Sequence, residues 1–501
     1  MKIGVIIFDD SDNGGAGWAA KSGEEANRVN DINSLDQDYI WITNIEFEKF
    51  NELEYRRTAN LRETHFMRIT VKALITELNL SSSPSLAAET LAKIFQRVIV
   101  FGNEMFGVDP SGKTAFRYAN LLSDEIIPEH MKQKPAQNSE SIMDALKEST
   151  QYMQQSLGKK PPGNDLKSIT LNMPRIAYNN WLISRKVPIE REWGKVQFSK
   201  GSDEKESIEI GIYKGKSIDG TKTIISKLEK LAEKNAFLFN INVKSVEESH
   251  KSFASFNIGK REKRRWVTFP ELFELQRYAH IEIKKAIKTD IGEIDQSLKD
   301  KNPGTNFSFS KGLFLENLIN ALYTPVKNNR QEIYNGIIPY LRAYDRMACL
   351  RAAEVLQNEG YYIYSYGVGK ITLLVNESEI NSLIGKALSL GLIPPLSKLM
   401  SLREGDVEIE SEDLITGWMP QDLDEHMNND WFLGLLRMIV STGLITTDLL
   451  MSIDDVVELR PEEQSKEIDS IIETLSNMSV TPNSEGENNR LRSDDTEIID
   501  L

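Results

Sequence analysis

From residue 44 to 130, and again from 268 to 460, apolar side chains recur at the spacing of a helix, and that rhythm limits the chain to a body made chiefly of amphipathic helices. In the first block, Ile45, Phe47, Phe50, Leu53 and Tyr55 give one such pattern, and Phe66, Ile69, Val71, Leu74, Ile75 and Leu78 a clearer one. Ser83 followed by Pro84 is a helix start, a capping hydroxyl before a proline whose missing N–H costs nothing in the first turn. The helix it opens carries Leu86, Leu91, Ile94, Phe95 and Val98, and another is expected over 113–127, closed by Pro128. In the second block the spacing predicts helices over 269–287, 314–323, 338–356, 380–390 and 431–440.

Strands are expected in three places. Lys2 to Phe8 reads as a buried strand ended by a turn rich in Asp, Ser, Asn and Gly, and Tyr39 to Ile42 is a second short apolar run. Residues 169–267 hold alternating or apolar runs at Val196–Phe198, Ile208–Tyr213 and Phe237–Val243, with a helix at 222–234 between two of them. Tyr361 to Val375 reads as a hairpin turning at Gly367 and Gly369. The polar stretch 131–168 has one amphipathic helix (Ile142, Leu146, Tyr152, Met153) and marks a lobe boundary.

These readings give a mainly α protein of two helical lobes with a small α+β insert. The expected units are a strand and arm region at 1–43, a helical N-lobe at 44–168, the insert at 169–267 and a helical C-lobe at 268–460. Residues 461–501 are read as an amphipathic helix and a disordered acidic tail, because beyond 480 there is almost nothing to bury.

Composition narrows the setting. With 501 residues and 40% hydrophobic content, a large core is assured. Cys349 is the one cysteine, so neither an internal disulfide framework nor a cysteine-rich zinc module can form, and its apolar helical surroundings make it a core residue. Asp9 and Asp10 cut the first apolar run too early for a signal peptide, and no stretch is long enough to span a membrane. A net charge of −15 argues against a uniformly basic surface, but not against a local basic groove.

Few residues carry recognisable chemistry. Gly107-Val-Asp-Pro-Ser-Gly112-Lys113-Thr114 fits the phosphate-binding loop pattern, in which backbone N–H groups cradle phosphates, the lysine reaches the outer ones and the threonine holds magnesium. The apolar run before it, however, looks like the end of the helix begun at Pro84 instead of a strand. Asp9, Asp10 and Asp12 follow a strand, as magnesium-holding carboxylates do, yet serve equally as a strand-ending turn. His65, His130, His250, His280 and His426 show no metal-ligand spacing, and no catalytic residue, metal or cofactor is expected.

The strongest charge signal is Lys260, Arg261, Lys263, Arg264 and Arg265 beside Trp266, in a chain that is otherwise acidic. A second group is Arg185, Lys186, Arg191, Trp193 and Lys195, and Arg342 and Arg346 lie four apart on one helix. Clustered cations with an interleaved aromatic suit phosphate contact plus base stacking, and equally suit ion pairing with the many acids.

The segment Tyr361-Tyr362-Ile-Tyr364-Ser365-Tyr366-Gly367-Val368-Gly369, with the helical layout, internal basic patches and acidic tail, resembles nucleoproteins of negative-strand RNA viruses. The resemblance implies RNA held in a basic cleft between lobes, self-assembly, a polymerase-complex partner for the tail, and a place in host cytoplasm or virion. The expected function is therefore a sequence-tolerant single-stranded RNA-binding nucleoprotein using Lys260, Arg261, Lys263, Arg264, Arg265, Trp266, Arg185, Lys186 and Lys195. The alternatives are a nucleotide hydrolase using Gly107, Gly112, Lys113 and Thr114, and an assembly protein without nucleic-acid affinity.

Overall fold

The computed structural model describes residues 2–11, 15–45, 49, 61–62, 70–108, 118–135, 139–150, 154–155, 166–196, 228–250, 266–294, 309–328, 331–403, 405–407 and 423. The fold is mixed, with four sheets among these residues, and this corrects the expectation of two helical lobes around a small insert.

The N-terminal strands form the first sheet. β1 (Lys2–Phe8), β2 (Gly17–Lys21), β3 (Asn27–Val29), β4 (Tyr39–Thr43) and β5 (Leu61–Arg62) lie in the order β3-β2-β1-β4-β5. β1 is antiparallel to β2 and parallel to β4. Successive residues of a strand face opposite ways, and β1 uses both sides. Ile3, Val5 and Ile7 join the main core, whereas Ile6 and Phe8 pack with Trp41 and Ile45 in a second cluster. Burying both faces explains an apolar run without polar alternation.

Four helices follow: α1 (Val71–Glu77), α2 (Pro84–Phe106), α3 (Tyr118–Ile126) and α4 (Ser139–Ser149). α2 begins at Pro84, as the sequence predicts, and ends at Gly107, whose φ of 65° is the left-handed C-cap conformation that glycine adopts without strain. Its buried residues, among them Leu91, Ile94, Phe95 and Val98, fill the space between the first sheet and the helices behind it. α2 and α3 touch closely where Gly102 meets the Tyr118 hydroxyl; any side chain at 102 would collide there.

β6 (Gln154–Gln155) and β7 (Leu166–Asn172) precede α5 (Arg175–Ile183), and β8 (Val187–Pro188) and β9 (Gly194–Lys195) follow it. β10 (Asn235–Val246), β11 (Trp266–Thr268), α6 (Phe269–Leu275) and β12 (Ala279–Gly292) complete the middle of the chain. The helix expected over 269–287 therefore ends at Leu275, and 279–292 is the longest described strand. Its buried Ile281 and Ile283 alternate with polar residues, a period of two that a helical count of apolar residues overlooked.

α7 (Phe309–Tyr323) is buried almost all round and passes through the centre. After the short hairpin β13 (Val326–Asn328) and β14 (Gln331–Ile333), α8 (Ile337–Asn358) carries Pro339 in its first turn and buries Cys349. β15 (Tyr362–Gly367) and β16 (Lys370–Asn376) form the expected hairpin, but within a four-stranded sheet of order β6-β15-β16-β7. α9 (Ile380–Ser389) and α10 (Leu396–Leu399) finish the described body. No helix among the described residues is long and apolar enough to cross a membrane. The helix expected at 431–440 and the tail at 461–501 lie outside the described residues.

Candidate nucleic-acid interface

One sheet carries both Trp266 and strands of the 185–195 segment. Its path is β11-β10-β12-β8, with β9 also pairing β12. Trp266 opens the edge strand β11, directly after Arg265 in the chain, while β8 and β9 hold the other end of the 185–195 segment. Asn240 of β10 lies between Trp266 on one side and Lys285 on the other, a row across three strands. In β9, Lys195 pairs with Ile287, two residues along β12 from Lys285.

The register contains a device that sequence periodicity hid. Asn240 pairs with Lys285 but Ile241 pairs with Ile283, so Lys284 is the extra residue of a β-bulge. A bulge breaks the strict alternation of faces. The consecutive Lys284 and Lys285 are thereby both exposed, with Lys288 half-buried further along. Neither Lys284 nor Lys285 makes an ion pair among the described residues.

The expected site residues divide. Lys186 is exposed beside β8. Arg185 is committed to its own helix: its guanidinium lies 4.9 Å from the Trp181 ring centroid, and it donates to Trp181 O at 3.2 Å and Ser184 Oγ at 3.1 Å. Arg191 donates to Gln133 at 2.6 Å, and Trp193 is 7% exposed and part of the core. Lys260, Arg261, Lys263, Arg264 and Arg265 lie outside the described residues. Trp266 is half-buried.

The arginines of α8 are spent inside the protein. Arg346 and Glu271 are both 0% exposed and joined at 2.8 Å. Arg351 grips Glu274 at 2.8 Å, and Arg342 donates to the carbonyls of Thr150 at 2.5 Å and Tyr323 at 2.6 Å.

A second polar feature lies at the hairpin turn. Gly367, Val368 and Gly369 have φ of 119°, 59° and 64°. For Val368, a β-branched residue, that conformation costs about 1–3 kcal/mol and needs outside support. Asp345 of α8 supplies it by accepting from the N–H of Val368 at 2.6 Å and of Gly369 at 2.7 Å. Tyr178 of α5 donates to the same carboxylate at 2.7 Å. Beside this turn is a small open cleft lined in part by Asn172, Arg175, Asn179, Glu316, Tyr323 and Lys370.

The groups around the cleft are already engaged. Arg175 pairs with Glu77 at 2.8 Å and Glu316 at 3.0 Å. Burial, and then the Asp345 charge, pushes both the Tyr178 phenol and the Cys349 thiol well above their ordinary values. A thiol so raised is inert, not a poised nucleophile. Among the described residues no cluster of His, Cys, Asp or Glu is arranged to hold a metal ion.

Two other sequence readings can be placed. The run before Gly107 is helix α2, not the strand a phosphate-binding loop requires, so the nucleotide-hydrolase expectation lacks its scaffold; Gly112, Lys113 and Thr114 lie outside the described residues. Asp9 pairs with Arg28, and Asp12 lies outside the described residues.

No protein-family model and no curated protein sequence matches the chain. Among solved structures, Phi29 DNA polymerase complexed with single-stranded DNA is similar at 12% identity and a TM-score of 0.41, over 75% of this chain and 80% of that one. The same polymerase with primer-template DNA and incoming nucleotides gives 13% and 0.37 over the same shares, and its orthorhombic crystal form 12% and 0.40 over 75% and 81%. The expectation of an RNA-encapsidating nucleoprotein is corrected: the two helical lobes that were to form the RNA cleft give way to a mixed fold with four sheets among the described residues.

Proposed function

We propose that this chain is a nucleic-acid-binding protein whose interface is the sheet built from β8 to β12. Lys284 and Lys285 contact phosphate, Lys186 extends the contact along the other edge, and Trp266 stacks on a base at the edge strand.

The observation that carries the reading is the bulge at Lys284. It turns two consecutive cations outward on a strand inside the sheet, between β10 and β8, and neither is neutralised by an acid among the described residues. In a chain of net charge −15, cations without internal partners are where a polyanion gains most, because each phosphate contact releases counterions.

The test is titration of labelled single- and double-stranded oligonucleotides with wild type and the Lys284→Glu/Lys285→Glu double variant over a range of salt. Removing two contacts to a single strand should lower the slope of log affinity against log salt by about 1.4. Equal affinity and equal slope for the two proteins would reject the interface, and a preference between the two oligonucleotides would identify the ligand form.

A further inference from the structure

The β11-β10-β12 part of the sheet turns one row of three unlike side chains to the same side. Asn240 of β10 pairs directly with Trp266 of β11 and with Lys285 of β12. Residues directly opposite one another in antiparallel strands share a face, so an indole, a carboxamide and an ammonium stand side by side. The next row, Val267–Phe239–Ala286, points to the other face, and its members are 0%, 0% and 4% exposed. One row further, Leu238 returns to the face of Asn240 and is buried, as is Thr268 beside it. That face is therefore covered as far as Leu238 and opens at Asn240. Trp266 stands at the border, half-buried and packed against the core, while Asn240 is half-buried and Lys285 exposed.

Asn240 is out of character with its strand. Asparagine is depleted in strands, and its neighbours along β10 are Phe237, Leu238, Phe239 and Ile241. Its side chain makes no hydrogen bond among the described residues. A carboxamide holds an acceptor and two donors in one plane, which is the complement of a base edge that offers a donor beside an acceptor. Adenine offers such an edge in its N6 amino group and N7, and asparagine pairs with it through two hydrogen bonds.

We infer that this row seats one unpaired base, with Asn240 as the specificity-determining residue that hydrogen-bonds its edge, Trp266 stacked on its face and Lys285 on the flanking phosphate. The inference rests on the interface proposed above and narrows its ligand to single-stranded nucleic acid with adenine at the row. Two strand spacings separate Trp266 from Lys285 at the backbone, about 10 Å, which a base and its flanking phosphate bridge once the side chains reach inward. Inside a duplex both faces of a base are covered by its neighbours, so an indole and a carboxamide in one row can be used together only by a base free of its stack.

The experiment measures, on the full chain and across salt, affinity for labelled oligo(dA), oligo(dC), oligo(dT) and a duplex, with oligo(rA) beside oligo(dA) to separate the two sugars. The proteins are wild type, Asn240→Leu, Asn240→Thr and the double lysine variant. Wild type should prefer oligo(dA) over the pyrimidine strands by about five- to tenfold, and over the duplex. Asn240→Leu should bind the three single strands alike, with the slope of log affinity against log salt unchanged, because a base contact is lost and no phosphate contact is. Thermal unfolding checks each variant. If Asn240→Leu fails to fold, Asn240→Thr carries the same test, since threonine suits a strand and its hydroxyl cannot make the paired hydrogen bonds. Three results would overturn the inference and leave the interface standing, provided the lysine variant loses affinity and slope: an oligo(dA) preference that survives both substitutions, a wild type that binds the three strands alike, or a duplex bound as tightly as oligo(dA). A lysine variant that binds like wild type, or a wild type that does not bind, would remove both.

Discussion

Two sets of cations in this protein look alike in the sequence and do opposite work. Arg342, Arg346 and Arg351 of α8 are turned inward, onto carbonyls and onto Glu271 and Glu274. Lys284 and Lys285 of β12 are turned outward and make no ion pair among the described residues. Neighbouring basic letters say nothing about which case applies. The arginines sit on a helix packed into the core, where Arg342 meets carbonyls and Arg346 and Arg351 meet the acids of α6. The lysines sit at a bulge, where the strand stops alternating and presents two adjacent side chains to solvent. Guanidinium groups, with their planar fork of donors, suit the first role, and flexible ammonium groups the second.

The sharpest way to break this division is to remove an inward cation. Arg346→Met removes the buried cation joined to Glu271 at 2.8 Å, which should cost about 3–5 kcal/mol in urea unfolding. Adding Glu271→Leu should restore most of that, since a buried ion pair replaced whole by apolar side chains is close to neutral. A single variant as stable as wild type would show that Arg346 is not holding the α6–α8 contact.

Lys311 of α7 extends the comparison to a lysine on the inside. It is 1% exposed, and burial brings its ammonium down to about 8 from an ordinary 10.5. The unfolded chain therefore binds the extra proton between those values, and the Lys311 contribution to folding stability should rise as pH climbs from about 8 towards 10. That contribution, about 2 kcal/mol over the range, is read as the difference between wild type and Lys311→Met, because the Cys349 thiol, raised by burial in the folded chain, ionises in the unfolded chain over the same range and works in the opposite direction. Above about pH 10 the buried Tyr178, Tyr278 and Tyr340, all raised first by burial, reverse the trend, because unfolded tyrosines ionise there and folded ones do not. Parallel profiles for wild type and Lys311→Met from pH 8 to 10 would contradict a buried ammonium.

Much of the fold was legible where one periodicity ruled. The β1 run, the Ser83–Pro84 start of α2, the Pro339 turn of α8 and the hairpin turning at Gly367–Gly369 stand where the residues place them. The fold class was not legible, because helical spacing and short two-residue alternation coexist in 269–287, and only the pairing of β12 with β10 decides between them. The proposed interface draws only partly on residues named in the sequence. Trp266 and the ends of the 185–195 segment do reach one sheet, but Lys284 and Lys285 were hidden inside the supposed helix. Asp345 was equally hidden: nothing local marks one acid of a helix as the support of a turn more than twenty residues on, a contact that only tertiary folding creates.

Arg351→Met tests a cation that is intermediate in position. Its side chain is 27% exposed and its partner Glu274 keeps Arg277, so no acid is left alone. The loss should be about 1 kcal/mol or less, well below that of Arg346→Met. A cost near that of Arg346→Met would mean that the Arg351–Glu274–Arg277–Glu354 chain acts as one unit.

The smallest expected effect on stability is the one that completes the comparison. Lys284→Ala and Lys285→Ala remove exposed side chains from a bulge that hold no partner among the described residues, so unfolding should shift by no more than about 0.5 kcal/mol. The bulge itself is set by the β10–β12 register, and alanine is compatible with it. If either variant costs several times that amount, the lysines are holding the sheet together after all, and the distinction between inward and outward cations fails at its outward end. If stability stays level while nucleic-acid affinity drops, the same two residues are separated from the fold and assigned to the ligand in a single pair of measurements.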